Sequence, residues 1–183
     1  MSVQEPGSQS SLACGYDPGE DRLVLAVTAN GATRSIQLTR RLTSKLIDAL
    51  AHMLEKSNAV ADRVPAEMRD DVILLEHIQA LGAKSAARKQ NAGAGQASDG
   101  TAAGAPARNR VAHLAVKMTI APKPPGFHLV VFGRSGALLQ AGMSRGDLHR
   151  FLELFKRRAE AAGWNLVMES SWLQSDQGDV VIN

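Results

Sequence analysis

Between residues 22 and 56 the chain alternates, turns, alternates again and then changes period. Leu23, Leu25 and Val27 fall on one face of an extended segment, with Val24 and Ala26 on the other. This predicts a strand over 22–29 that is covered on both sides, or nearly so. Asn30-Gly31 is the strongest short hairpin signal in the chain, because both positions of a tight primed turn need residues that tolerate positive φ. Ile36 and Leu38 then alternate with Ser35 and Gln37, a strand over 33–38 with one face to water. From Thr39, an N-cap residue, the period becomes helical. Leu42, Leu46, Ile47, Leu50, Met53 and Leu54 make one apolar stripe that runs to Lys56 and is expected to lie across the hairpin.

The same order of patterns returns between 127 and 164. It predicts a strand over 127–133, a turn at Ser135-Gly136, a strand over 137–142 and a helix over 144–162. Ser144 with Asp147 resembles a capping box, with Asp in place of the usual Glu or Gln. Leu148, Phe151, Leu152 and Phe155 form the stripe, and Gly163 ends the helix. A shift of 105 positions places Asn30-Gly31 on Ser135-Gly136, Thr39-Arg40 on Ser144-Arg145, Leu46-Ile47 on Phe151-Leu152 and Leu50 on Phe155, although Leu42 falls on Asp147 rather than on Leu148. Each hairpin is preceded by a further strand. The first covers 12–16 and ends in the turn Asp17-Pro18-Gly19. The second covers 111–121, with Ala112, Leu114, Val116, Met118 and Ile120 as its core face, and ends in the stiff turn Pro122-Lys123-Pro124-Pro125-Gly126.

The fold class that follows is α+β: duplicated β-β-β-α units with antiparallel sheets, an extra helix after the first unit, and a disordered Ala/Gly-rich linker. Pro65 opens the extra helix, in which Met68, Val72, Leu75, Ile78 and Leu81 recur at helical spacing to about Ala87. Acidic Glu67, Asp70 and Asp71 sit at its start and basic Lys84, Arg88 and Lys89 at its end, as the helix dipole favours. The predicted organisation is a disordered tail at 1–11, the first unit and extra helix at 12–89, a flexible linker at 90–109 and the second unit at 110–183. The last part adds a strand over 165–173 and a weaker one over 179–182. The two three-stranded sheets are expected either to pack through their helices or to pair into one pseudo-twofold sheet.

Composition narrows the classes. With 183 residues the chain holds one domain or two small ones sharing a core, and its seven aromatic residues leave Leu, Val, Ile, Ala and Met to fill that core. A single cysteine, Cys14, excludes an intramolecular disulfide framework, fits a reducing compartment and reads as a small strand residue. No apolar run approaches the ~18 residues that span a bilayer, and residues 1–11 have no signal-peptide pattern, so a soluble cytoplasmic protein without membrane contact is expected. The net charge of +3 is unevenly spread. Between Arg108 and Arg158 ten Lys/Arg face only Asp147 and Glu153, a local excess of +8, while 159–183 carries four acids and no Lys/Arg.

Signatures of chemistry are missing. The chain has no phosphate-binding glycine loop, no GxGxxG after a strand, no HExxH and no CxxC, and it calls for no cofactor or metal. Gly133-Arg134-Ser135-Gly136 reads as a hairpin turn rather than an anion nest. His52, His77, His113, His128 and His149 fall on five different elements with no shared helical spacing. Glu67, Asp70, Asp71 and Glu76 read as a solvated helix face, and Ser170-Ser171 has no nucleophile-elbow context. The most suggestive group is basic: Arg134, Arg145, Arg150, Lys156, Arg157 and Arg158 could contact phosphates, with Tyr16, Phe127, Phe132 and Trp172 as aromatic candidates on strands. In architecture alone, duplicated sheet-plus-helix units are similar to the single-strand-binding folds of the PUR and Whirly kind; no motif ties this chain to either.

The leading expectation is a non-catalytic accessory or assembly protein. It would bind another protein, or a second copy of itself as a dimer or larger homo-oligomer, through exposed strand edges of the scaffold. The alternative is a single-stranded DNA or RNA binder that uses the basic second unit. A small enzyme using His113, His128 or His149 stands third.

Overall fold

The computed structural model describes residues 11–29, 32–91 and 112–174. The elements are β1 (Ser11–Asp17), β2 (Arg22–Ala29), β3 (Ala32–Thr39), α1 (Arg40–Lys56), α2 (Arg69–Asn91), β4 (Ala112–Leu114), β5 (Lys117–Lys123), β6 (Gly126–Gly133), β7 (Gly136–Met143), α3 (Arg145–Ala161) and α4 (Ser171–Gln174), with two short 3-10 turns before α2. The protein is α+β with two sheets, one of order β1-β2-β3-β4 and one of order β5-β6-β7. The turn Asn30-Gly31, most of the linker and the strand expected over 179–182 lie outside the described residues.

Each half is a β-β-β-α unit, and the local signals explain why. Thr39 caps α1, its hydroxyl accepting from the Leu42 amide. Ser144 and Asp147 cap α3 reciprocally, the Ser side chain taking the Asp147 amide and the Asp carboxylate taking the Ser144 amide. Gly163 follows α3 at φ +71°, a left-handed turn that a side chain would strain. On α1 the residues Leu46, Ile47, Leu50, Ala51 and Leu54 are buried, and on α3 Leu148, Phe151, Leu152, Phe155 and Ala159. Phe151 and Phe155 stack edge to face at 4.7 Å. β2 is buried on both faces, through Leu23, Val24 and Leu25.

The units interlock reciprocally. α1 packs on β2 and β3 of its own unit and on β5 of the other, while α3 packs on β6 and β7 and on β1 of the other; α1 and α3 lie against each other. One core therefore serves both halves. The sheets join where β4 pairs parallel with β3, from Ser35↔Ala112 to Gln37↔Leu114, and the chain then crosses to the second sheet. The Ala115 amide donates to Gln37 at 2.9 Å and the next amide, Val116, to Phe132 at 2.8 Å.

That crossing corrects the single strand expected over 111–121. The strand breaks at Ala115-Val116, where Ala115 is buried and Val116 half exposed against the expected core face; beyond the break Met118 and Ile120 pack on the core as expected. The turn after it is also shorter than expected. Pro122 and Lys123 belong to β5, paired with Phe127 and Gly126, which the sheet tolerates because β5 is an edge strand there; only Pro124-Pro125 turn the chain. The strand expected over 165–173 is absent. Residues 164–170 are irregular, and α4 follows because Trp172 and Leu173 are driven inward, at 1% and 2% exposure. α2 extends to Asn91, into the first two positions of the predicted linker.

α2 uses a different face from the one its apolar spacing suggests. Of the expected stripe, Met68 just before the helix and Leu75 and Ile78 on it are more than half exposed and Val72 packs against the core, whereas Ile73 and His77 are buried. The reason lies opposite: α3 presents ionisable side chains rather than an apolar groove, and α2 turns its own polar residues toward them. No helix among the described residues is long and apolar enough to cross a membrane.

Candidate functional site

Two histidines that the sequence places on separate helices meet in the interior. His77 on α2 and His149 on α3 bring their Nδ1 atoms to 3.1 Å, with the rings tilted and their centroids 5.2 Å apart. The two outer ring nitrogens point at carboxylates: His77 Nε2 lies 3.4 Å from Glu153 Oε2, and His149 Nε2 lies 3.5 Å from Glu76 Oε1. The result is a row, Glu153–His77–His149–Glu76, running between α2 and α3. Trp172 closes it, its ring 5.4 Å from His77 and 6.5 Å from His149, anchored by an indole hydrogen bond of 2.8 Å to Glu55.

Each carboxylate is tied down from outside. Glu76 takes the guanidinium of Arg145 in a fork, Nε on one oxygen and Nη2 on the other, and also a 3.0 Å bond from the Asn58 amide. Arg145 Nη2 donates in addition to the Leu54 carbonyl at 2.7 Å, and Nη1 reaches Ser57, so this one side chain joins the end of α1, α2 and α3. Glu153 takes Arg157 on its other oxygen. Nearby, Arg150 ties α3 to α2 again through the Ala80 carbonyl at 3.1 Å and holds Asp147 at 2.6 Å.

The charges follow from these contacts. The His77 hydrogen bond, helped by Arg157 and opposed by burial, brings the Glu153 carboxyl down to about 2. Burial works against ionisation of Glu76, but Arg145 outweighs it and its pKa is lowered. Burial pushes His149 down to about 4, with His77 and Arg145 acting in the same direction and Glu76 against it. At neutral pH the row thus holds two carboxylates and a neutral His149. Three of its members are shut away from solvent, with side-chain exposures of 5% for His77, 0% for His149 and 9% for Glu153, while Glu76 at the end of the row is 30% exposed.

Glu76 was expected on a solvated face together with Glu67, Asp70 and Asp71. It is instead the half-buried anchor of the row, while Glu67 and Asp71 are exposed and Asp70 accepts from Ser171 of α4. The remaining histidines stay apart: His52 pairs with Glu55 at 3.6 Å, His113 is exposed on β4 and His128 lies on β6. Among the described residues no group of three or more His, Cys, Asp or Glu is arranged to hold a metal ion. Cys14 is buried in β1, and burial raises its thiol to about 11.

The expected basic strip is largely committed to the protein itself. Arg145, Arg150 and Arg157 hold Glu76, Asp147 and Glu153, Lys156 is buried, and Arg134 and Arg158 are exposed. The aromatic candidates do not line a sheet surface. Trp172 is on α4 and buried, Phe127 is buried, Tyr16 stands edge-on to Trp164 at 6.0 Å, and the half-buried Phe132 is covered by Lys117.

A second feature lies at the far side of the second sheet. β7 is its outer strand, and a groove of about 550 Å³ opens at the end of that strand, lined by Lys123, Pro124, Pro125, Phe127, His128 and Met143. No protein-family model, no curated protein and no solved structure matches this chain.

Proposed function

We propose that this protein is a non-catalytic binding module that takes an extended segment of a partner protein along the outer edge of β7. The observation that carries the reading is an asymmetry between the two units. β3, the third strand of the first unit, has the parallel strand β4 added to its edge. β7 occupies the same place in the second unit and is the last strand of its sheet among the described residues. Its eight residues, Gly136–Met143, contain no charged side chain and no proline, two of the devices that protect solvent-facing edges; the strand does carry a register shift opposite Val131/Phe132, and Arg34 of β3 donates to the Leu138 carbonyl at 3.3 Å.

The neighbouring groove gives such a strand a place for specificity. Main-chain bonds to an edge supply affinity and a side-chain pocket supplies choice. Pro124, Pro125, Phe127 and Met143 suit an apolar anchor, and Lys123 with the local excess of positive charge suits an acidic neighbour to it. Both imidazoles of the row between α2 and α3 are buried, which supports a module without chemistry of its own. A single-stranded nucleic acid remains the alternative partner, but the self-pairing of Arg145, Arg150 and Arg157 and the covered aromatic rings speak for the protein reading.

The test uses displayed random nonapeptides selected against the intact chain, with the recovered peptides titrated against wild type, Gln140→Pro and Gln140→Lys. Gln140 is exposed in the middle of β7, so the first variant removes a backbone donor and the second charges the edge. The expected result is enrichment of extended, apolar-acidic peptides that bind at least roughly tenfold more weakly to both variants. Peptides that ignore both variants overturn the edge reading. A log–log salt slope of several units for a single-stranded oligonucleotide, with no peptide enriched, selects the alternative.

A further inference from the structure

The row Glu153–His77–His149–Glu76 has three junctions between neighbouring groups, and each junction needs one proton. With one proton on each imidazole the row holds two. With His77 Nε2–H given to Glu153 and His149 Nδ1–H given to His77 Nδ1, the protons are used, and His149 Nε2 is left as a bare lone pair facing a carboxylate. That nitrogen is indeed buried without a hydrogen-bond partner. With one proton per ring the closed row is therefore one proton short. The missing proton would have to charge a fully buried ring beside the Arg145 guanidinium.

We propose that this row is an acid-operated latch: α2 is held on α3 while His149 is neutral, and proton uptake by His149 releases α2. The proposal is independent of the β7 edge. The charged groups around His149 come from every element packed there. α2 contributes His77 and Glu76, α3 contributes Arg145, Glu153, Lys156 and Arg157, α1 contributes Glu55 through its bond to Trp172, and α4 contributes Trp172 itself. Protonation in the closed state places an imidazolium beside Arg145 and a second ring, with Glu76 already satisfied by Arg145 and Asn58. Once α2 swings away, the same imidazolium is hydrated.

The direction of the effect follows from linkage. Burial sets His149 at about 4 in the closed form, against an ordinary value near 6.5 in the open one. The open form therefore binds more protons between those two values, and opening is favoured as pH falls through that window. A single group with this difference raises the opening constant on the order of 30-fold between pH 7.5 and pH 5. The loosened part includes Leu75 and Ile78, already half exposed on the outer face of α2.

Amide hydrogen exchange on the full chain, corrected for the intrinsic pH dependence, tests this. Wild type is expected to show the α2 segment 70–80 opening roughly ten- to thirtyfold more at pH 5 than at pH 7.5, while β2 keeps its protection. His149→Gln offers an amide donor to Glu76 without a titrating group, and its α2 opening is expected to change less than about threefold over the same range. His77→Gln, which removes the facing nitrogen, serves as a second variant if His149→Gln loses protection in β2. An α2 segment that ignores pH in wild type, a change that persists in the Gln variant, or β2 opening together with α2 overturns the latch; so does loss of β2 protection in both variants, which would make the row a requirement of the whole fold.

Discussion

The Nδ1 atoms of His77 and His149, 72 positions apart in sequence, face each other at 3.1 Å between two helices. The contact joins the one helix that has no counterpart in the duplicated scaffold to the helix of the second unit. Ionisable side chains do much of the work of docking α2, where an apolar stripe does it for α1 and α3.

Arg145 is the centre of that docking. Replacing it by Ala leaves Glu76 beside His149 with only the Asn58 amide as a bond, and frees the Leu54 carbonyl. Both charged partners are about three-quarters buried. The expected loss is about 2–3 kcal/mol in urea unfolding, and Arg145→Lys is expected to recover less than half, since an ammonium cannot make the fork.

Glu153 gives the stability an acid limb. Its folded carboxyl is at about 2, below the ordinary value, so its contribution is fully present above the ordinary carboxylate range and is lost as pH falls toward 2. Glu153→Gln is expected to flatten unfolding free energy between pH 4.5 and 2 by about 2–3 kcal/mol, read from denaturant midpoints across that range.

The two capping sites predict a matched pair. Thr39→Ala and Ser144→Ala each remove a side-chain acceptor from the first turn of a long helix. Each should cost about 1 kcal/mol, with Ser144→Ala the more costly because Asp147 loses its reciprocal partner.

Leu50 and Leu75 separate packing from periodicity. Leu50 is fully buried on α1 and Leu75 is 57% exposed on α2, though both stand on apolar stripes in the sequence. Leu50→Ala should cost about 3–5 kcal/mol, Leu50→Asp should prevent folding of the first unit, and Leu75→Ala should lie within about 0.5 kcal/mol of wild type, all by thermal or urea unfolding.

These contrasts show where the sequence was readable. Thr39, the Ser144/Asp147 box and Gly163 act within one turn of the chain, and the stripes of α1 and α3 depend only on helical period; all of them could be placed from local pattern. The β-β-β-α order followed from the same signals. What could not be read depends on a partner far along the chain. The apolar spacing Met68, Leu75 and Ile78 names a face of α2 but not what covers it, and the covering element turned out to be Arg145, His149 and Glu153. Residues 111–121 alternate without interruption, yet the chain changes sheets at Ala115-Val116, and only the two carbonyls waiting there, of Gln37 and Phe132, decide it. Trp172 looked like a strand residue because its destination, against His77 and His149, was not visible.

The most direct test is a long-range proton–nitrogen correlation spectrum of the histidine side chains in the full chain at pH 7.5. His77 is expected with its proton on Nε2 and His149 with its proton on Nδ1, both slow to exchange with water, and with a through-bond coupling across the facing nitrogens. Two rings in the common Nε2–H form and exchanging freely, with His149 titrating near 6.5, would contradict the buried row and everything built on it.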